Sequence, residues 1–472
     1  MAFVNFILVG VLIFLYVIMA FSLGIAGKPH KNVILENTLP TDKLTAPETL
    51  AIINSYKRAL WKTAAVSSLL SLTILIFTYD SLIMTFFWLL MLVPLTVFYG
   101  IEIRYIRKMA LLKAQLGWRI PVEPIMVDTR LTVAKNKQMV GFSWLIPPLI
   151  VTLGFTIWQF STDFDDNLMM NLVAIFSWLL AVGCWYSVKR LPVMAPTDDS
   201  DLNRRYNDLT KRSWSQVAVG ISYGFVAIFL LSIIGPQLSG LGAILLAIVS
   251  FLTIFGSIFL CIAHLLGLRK KQDALLAQTE DFRYAGEDRY WRFGVYINPA
   301  DHRLMVADRI GLNISMNLGR PIGKVLVGLI GLLVLGAMVM TLLPTYLLDF
   351  SHEPFTGEIN NGDVYLSAPL SGSSQIPIEA IQKAELIDKI SDRVASIHRT
   401  NGYGGAYYQI GRFTVDGKQA VFYLDNRSQP LLHLVTREKD YYFTFKEPAQ
   451  TKALFTTLQT KLKELPASSS EK

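Results

Sequence analysis

Charge is what this chain has least of. Only 17% of its 472 residues are Asp, Glu, Lys or Arg, while 52% are hydrophobic and the mean hydropathy is +0.40. That balance excludes an ordinary soluble domain and points to an integral membrane protein. Cysteine is scarce too. Cys184 and Cys261 both fall in apolar runs, so they build no secreted disulfide framework and no CxxC motif, and read as small buried hydrophobes. The six histidines, at 30, 264, 302, 352, 398 and 433, show no metal-ligand spacing, and there is no HExxH. Gly319-Arg320-Pro321-Ile322-Gly323-Lys324 is no Walker A loop, because the glycine spacing is wrong and Val325 stands where Ser or Thr is needed. Neither a metal nor a cofactor is implied.

Eight hydrophobic runs are present, at about Phe3–Leu23, Ala64–Tyr79, Ile83–Tyr99, Phe142–Phe160, Met169–Ser187, Gln216–Ile234, Leu241–Leu265 and Val325–Leu347. The fold class expected is a polytopic α-helical membrane protein of eight transmembrane helices. Residues 1–285 form its membrane region, with seven spans and their loops, and 325–347 the eighth span. No Asp, Glu, Lys or Arg sits in the central part of a span, which argues against ion pumps and proton-coupled carriers. Pro147-Pro148 predicts a kink or break in the fourth run, and Pro94 lies in the third. Thr45-Ala46-Pro47-Glu48 reads as a capping box opening a lead-in helix through Ile52, Ile53, Tyr56 and Leu60.

The loops after the first, third, fifth and seventh runs carry 6, 8, 6 and 10 Lys plus Arg, and the turns between the others carry none. The positive-inside rule then predicts a multi-pass plasma-membrane protein with basic loops in the cytoplasm and both termini outside. The basic pI follows from membrane topology, with the lipid bilayer as partner and no nucleic acid. Asp163, Asp165 and Asp166 form a solvated acidic turn, since their spacing is not that of an EF-hand.

Residues 286–324 are the most patterned soluble stretch, and Tyr290–Lys324 carries the pattern. Trp291, Phe293, Val295 and Ile297 alternate as a strand would, around Gly294. Asn298-Pro299-Ala300-Asp301 is a turn, Arg303–Val306 a returning strand, and Asp308-Arg309-Ile310-Gly311 a second turn. Leu312–Leu318 alternates again around Asn317, and Gly319-Arg320-Pro321 closes the module beside the membrane. The reading is a small β-rich docking element held against the helix ends. An enzyme would have to work with Asp288, Asp301, His302, Arg303 and Asp308, whose spacing alone brings no acid–base pair together.

The pattern WxFGxYxNPxDxRxxVxDRxGxNxxxNxGRP over Trp291–Pro321 resembles a short domain of unknown function in polytopic membrane proteins of Bacillota. Asn32–Tyr56 and Tyr105–Trp118 look like the same group, whose membrane regions are in turn similar to the SdpI immunity and signalling family. The resemblance brings no catalytic residues and no immunity role.

Residues 348–465 are polar enough to fold in water, with 466–472 a disordered tail. Seven strand-like runs, at Asp363–Ser367, Ala384–Ile387, Val394–His398, Tyr407–Val415, Gln419–Leu424, Leu431–Val435 and Tyr441–Phe445, precede an amphipathic helix with Leu454, Leu458, Leu462 and Leu465 on one face. Gly402-Tyr403-Gly404-Gly405 reads as a loop needing permissive backbone. With Gly411-Arg412-Phe413, the Tyr423 strand and Tyr441–Thr457, this order of seven strands plus a helix resembles the bacterial pleckstrin-homology-like domain, and the charge-based topology puts this β-rich module on the extracellular side. The function expected is a non-enzymatic envelope, signalling or scaffold protein with a protein partner, coupling that module to the cytoplasmic loops. The alternative is a transporter or a peptide-resistance protein.

Overall fold

A computed structural model describes residues 2–118, 136–162, 164–234, 241–279, 287–369, 371–390, 394, 396–405 and 407–464. Its N-terminal part is helical: α1 Ala2–Gly24, α2 Pro47–Ser71, α3 Asp80–Gln115, α4 Ile146–Thr162, α5 Phe164–Arg190, α6 Ser200–Ile234, α7 Leu241–Leu276 and α8 Pro321–Phe350. Among the described residues seven helices are long and apolar enough to cross a bilayer, and an eighth, Phe142–Trp158, is apolar but shorter.

The helices run through their polar flanks. The lead-in segment and the first half of the second apolar run are one helix, α2, which passes into a 3-10 turn over Leu72–Ile76. Its start differs from a capping box: Ala46 is the N-cap and Pro47 supplies the first turn, so Thr45 caps nothing. Helix α3 continues through Ile101–Lys113 for 36 residues, or ~54 Å at 1.5 Å per residue, with Pro94 inside it. The fourth run changes helix type beside Pro147 and Pro148: a 3-10 turn over Phe142–Leu145 gives way to α4 at Ile146. The two prolines lie in the first turn of α4, where an N–H is missing at no cost. Cys184 is exposed and Cys261 half-buried, because α5 and α7 turn those positions away from their neighbours. Asp163, Leu465, residues 119–135 and the 235–240 turn lie outside the described residues; Asp165 and Asp166 start α5.

The C-terminal domain holds nine strands among the described residues, two more than expected: β5 Thr356–Asn360, β6 Asp363–Ser367, β7 Ser374–Pro377, β8 Ile381–Ile387, β9 Ile397–Gly404, β10 Tyr408–Val415, β11 Lys418–Asp425, β12 Leu431–Thr436 and β13 Asp440–Phe443, followed by α9 Pro448–Glu464. Strands β5-β6-β7 form one antiparallel sheet and β8-β12-β13-β11-β10-β9 a second. In the second, β13 lies between β12 and β11 and runs parallel to β11. The core between the sheets takes Val364, Leu366 and Ile376 from one, Ile410, Tyr423, Leu432 and Phe443 from the other, and Leu454 and Leu458 from α9. The expected GYGG loop is the end of β9. Gly402 pairs with Gly411 of β10, and both have positive φ.

Helices α3 and α8 run antiparallel. The Trp88 indole N–H donates to Thr341 Oγ1 at 2.8 Å, the Thr85 and Tyr346 hydroxyls meet at 3.0 Å, and Tyr79 stacks on Phe350. The C-terminal domain sits on one end of this pair and the Trp291–Pro321 module on the other.

Candidate functional site

The module folds on Asn317, which is fully buried. Its Oδ1 accepts the backbone N–H of Asn298 (3.0 Å) and Gly319 (2.9 Å), while its Nδ2 donates to the carbonyls of Asn298, Asp301 and Arg303 at 2.9, 3.1 and 3.2 Å. One amide thus ties together both arms of the module, β3 Met305–Ala307 and β4 Ile314–Met316, and the turn before them. Gly319 is required because a Cβ would overlap the Asn298 carbonyl carbon. Pro299 sits in that turn, where Asn298 Oδ1 accepts the Ala300 N–H and the Asp301 N–H reaches back to Asn298 O. Arg320 caps α8 and donates to the His302 carbonyl, and Pro321 is the first helical residue.

Trp291–Ile297 is not a strand. Gly294 takes a φ of +72° and its N–H closes a turn onto Trp291 O, so the alternation bends back on itself until the Ile297 N–H meets Tyr290 O. The bend buries Trp291 against Tyr296 and Val306. Asp301 is spent inside the module. It accepts the Tyr296 hydroxyl at 2.9 Å and the Arg303 guanidinium at 2.8 Å. Burial pushes its carboxyl up, but the Arg303 side chain and N–H together with Tyr296 hold it at about 2.

Below the module lies a polar junction that no sequence pattern showed. Strands β1 Val33–Ile34 and β2 Asn37–Thr38 form a hairpin whose two tip residues, Leu35 and Glu36, both have positive φ (47° and 59°). Such tips favour Asn-Gly, and a non-glycine pair there is strained. The tip is also buried, Leu35 at 0% and Glu36 at 2% exposure, and both Glu36 carboxylate oxygens lack a hydrogen-bond partner among the described residues. Arg309 holds the hairpin: it donates to the Glu36 carbonyl at 2.7 Å, bonds Thr38 Oγ1 and pairs with Asp288 at 2.8 Å. Asp288 also takes the Thr38 hydroxyl (2.7 Å) and Lys113 of α3 (2.8 Å). Burial alone would raise the Asp288 carboxyl; Arg309, Lys113 and Thr38 hold it below the usual range. Tyr99 of α3 donates to Phe293 O at 2.8 Å, and the Glu102 carboxylate lies against Gly294.

On the other flank, His30 is buried with its Nδ1 on Asp273 of α7 at 2.9 Å, while Arg269 donates to Lys28 O at 3.0 Å. Burial pushes the imidazole down to about 4 against the pull of Asp273. The ring is then neutral at pH 7, its Nδ1–H donates to the carboxylate, and the partnerless atom, Nε2, is a lone pair. Gly311, at φ +77°, is where a Cβ would come within 2.9 Å of that Nε2.

Glu36 and Asp308 share this interior with Arg309, Glu102, Asp288, Arg269 and Lys31. Burial drives both carboxyls above their ordinary range, and in Glu36 the nearby Asp308 adds to the rise. A raised folded-state pKa means the fold binds the proton more tightly than the unfolded chain. The stabilising contribution is therefore full in acid and is lost as pH rises above the ordinary carboxylate range. Asp308→Asn, which keeps the acceptor for the Ile310 N–H, is expected to melt a few degrees above the wild type at pH 7.5. The difference should vanish near pH 4.5. Thermal unfolding in detergent at the two pH values checks this; equal melting temperatures at pH 7.5 would contradict it.

What the arrangement offers is a proton-binding interior and a network of ties. Among the described residues no group of three or more His, Cys, Asp or Glu could hold a metal ion. A cavity of about 240 Å³ beside the module is lined by Arg303, Arg309 and Asp308 with the extended Leu191–Pro196 segment, and takes neither Asp301 nor His302. No protein-family model matches the chain, and no curated protein or solved structure is significantly similar to it.

Proposed function

We propose that the chain is a multi-pass plasma-membrane protein of eight spans with a non-enzymatic signalling or scaffold role. In this reading it couples an extracellular pleckstrin-homology-like β domain to the cytoplasmic Trp291–Pro321 module, for an envelope or signalling protein partner. One observation carries the reading: α3 is anchored in both modules. At its start Asp80 accepts the Tyr403 hydroxyl (3.0 Å) and the Tyr407 N–H (3.2 Å) of the β domain, and Asp349 accepts the Ser81 N–H at 2.8 Å. Toward its other end Tyr99 and Lys113 hold Phe293 and Asp288. Helix α8 leaves the module at Pro321 and delivers the chain to the β domain at Phe350. Two antiparallel helices fixed at both ends carry a displacement from one module to the other.

Hydrogen exchange on the full chain in nanodiscs tests the coupling. Asp80→Ala is expected to speed exchange in Gly402–Tyr408 and also, toward the other end of the 36-residue helix, in the Trp291–Ile297 turns that Tyr99 holds. Faster exchange confined to the β-domain end would overturn it. Sidedness is read separately with an impermeant maleimide at Asn313→Cys and Glu379→Cys, both exposed positions, after replacing Cys184 and Cys261. Intact cells should label only the second.

A further inference from the structure

A cavity of about 790 Å³ lies where α8 meets the open edge of the β domain. One wall is a stripe of α8, Met340, Pro344 and Leu348, spaced by four residues and so on one helical face. Met340 is 70% exposed while Leu348, two turns on, is buried in the β-domain core, so this wall opens at Met340 onto the space that hydrocarbon would fill. Pro344 has no N–H, which leaves the Met340 carbonyl without its ordinary intrahelical donor at this level.

The opposite wall is polar. Arg412 pairs across the sheet with Asn401 on one side and Val421 on the other, and Val421 pairs with Tyr441. These four side chains form one row on one sheet face, with Lys439 at its end, and all line the cavity. Among its described lining residues there are two cationic side chains and no Asp or Glu. A space that is apolar and bilayer-facing on one side, cationic and aromatic on the other, selects an amphiphile by charge and shape together.

We propose that this cavity binds a single anionic membrane amphiphile. Its phosphate-type headgroup lies against Arg412 and Lys439, a headgroup hydroxyl is within range of the Met340 carbonyl, and an alkyl chain runs down the Met340–Leu348 stripe. The site needs α8 to lie in the membrane, and so rests on the spanning role proposed above.

The test uses the full chain in nanodiscs with phosphatidylglycerol carrying a diazirine in its acyl chain. Adducts are mapped by peptide mass spectrometry, with the phosphatidylcholine analogue as the second probe. Label from phosphatidylglycerol is expected at Met340–Leu348 and on β10, about tenfold above the choline lipid. The charge variant Arg412→Glu with Lys439→Glu should lower it about tenfold at those peptides while leaving label elsewhere on α8 unchanged. Met340→Trp, which narrows the cavity at the apolar stripe and keeps the charges, should lower it as well and decides the matter if the charge variant fails to fold. Equal label from both lipids, or unchanged label in Met340→Trp, overturns the site. So does protection by free glycerol phosphate at the concentration of the lipid, which would mean a headgroup pocket with no use for the chain. Label along α8 but not at the cavity overturns the site alone, and no label anywhere on α8 overturns the spanning reading with it.

Discussion

Asn317→Ala is expected to leave no stably folded protein. The substitution strands two N–H groups and three carbonyls in a half-buried module at once. Even at the ~1 kcal/mol lower end for each unsatisfied group, the five together reach the ~4 kcal/mol that marks an exceptional point mutation. Asn317→Asp should fare little better. It keeps the two acceptor bonds but turns a carboxylate toward three carbonyl oxygens. The measurement is thermal unfolding in detergent, paired with trypsin cleavage after Arg303 and Arg309. A wild-type melting curve with both arginines protected would show that the module does not depend on this amide.

The second large effect belongs to the β domain. Gly402 and Gly411 face each other across β9 and β10 at φ +124° and +116°. A Cβ on either would overlap a carbonyl oxygen of the other strand, Ile410 O or Asn401 O. Gly411→Val should therefore unfold the hairpin. It adds ~1–3 kcal/mol of backbone strain to a clash with main chain that no rotamer relieves. Gly417, at φ +84° with nothing near its Cβ position, provides the contrast. Gly417→Asn should be nearly silent, since Asn tolerates left-handed backbone. Limited proteolysis of the full chain reads both. Equal resistance in Gly411→Val and Gly417→Asn would mean that neither the torsion angle nor the close approach at Gly411 holds the hairpin.

Long-period features were legible in the sequence. Apolar runs mark the helices, and alternation marks five of the seven proposed strands to within two residues; Ala384–Ile387 is only the second half of β8, and Val394–His398 overlaps β9 by two residues. Strands β5 and β7 escaped because Thr356–Asn360 and Ser374–Pro377 carry little apolar alternation; their pairing with β6 places them, not their composition. Trp291–Ile297 alternates yet folds as turns, since one glycine at positive φ overrides a seven-residue pattern. The module was found as a motif, and its glycines and Asn317 prove to be packing and hydrogen-bond centres. The junction beneath it was out of reach. His30 and Asp273 are 243 residues apart, and Thr38 and Asp288 are 250 apart. The Leu35-Glu36 hairpin tip lacks any turn residue. Lys211 is one of the six basic residues after the fifth run, yet it is buried and donates to the carbonyls of Val188, Lys189 and Leu191, closing the end of α5.

The ties at the two ends of α8 make its length a matter of angle. Asn317 and Gly319 fix the chain just before Pro321, and only residues 351–355 separate Phe350 from β5. Lys446 grips that short tether through the carbonyls of Asp349 and Ser351. Each residue of α-helix advances the azimuth by ~100°. One residue gained or lost within α8 would swing the β domain about the helix axis by more than a quarter turn, tearing Tyr403 and Tyr407 from Asp80. The helix thus works as an indexed shaft, and changes in chain length are tolerable only in the connections outside it.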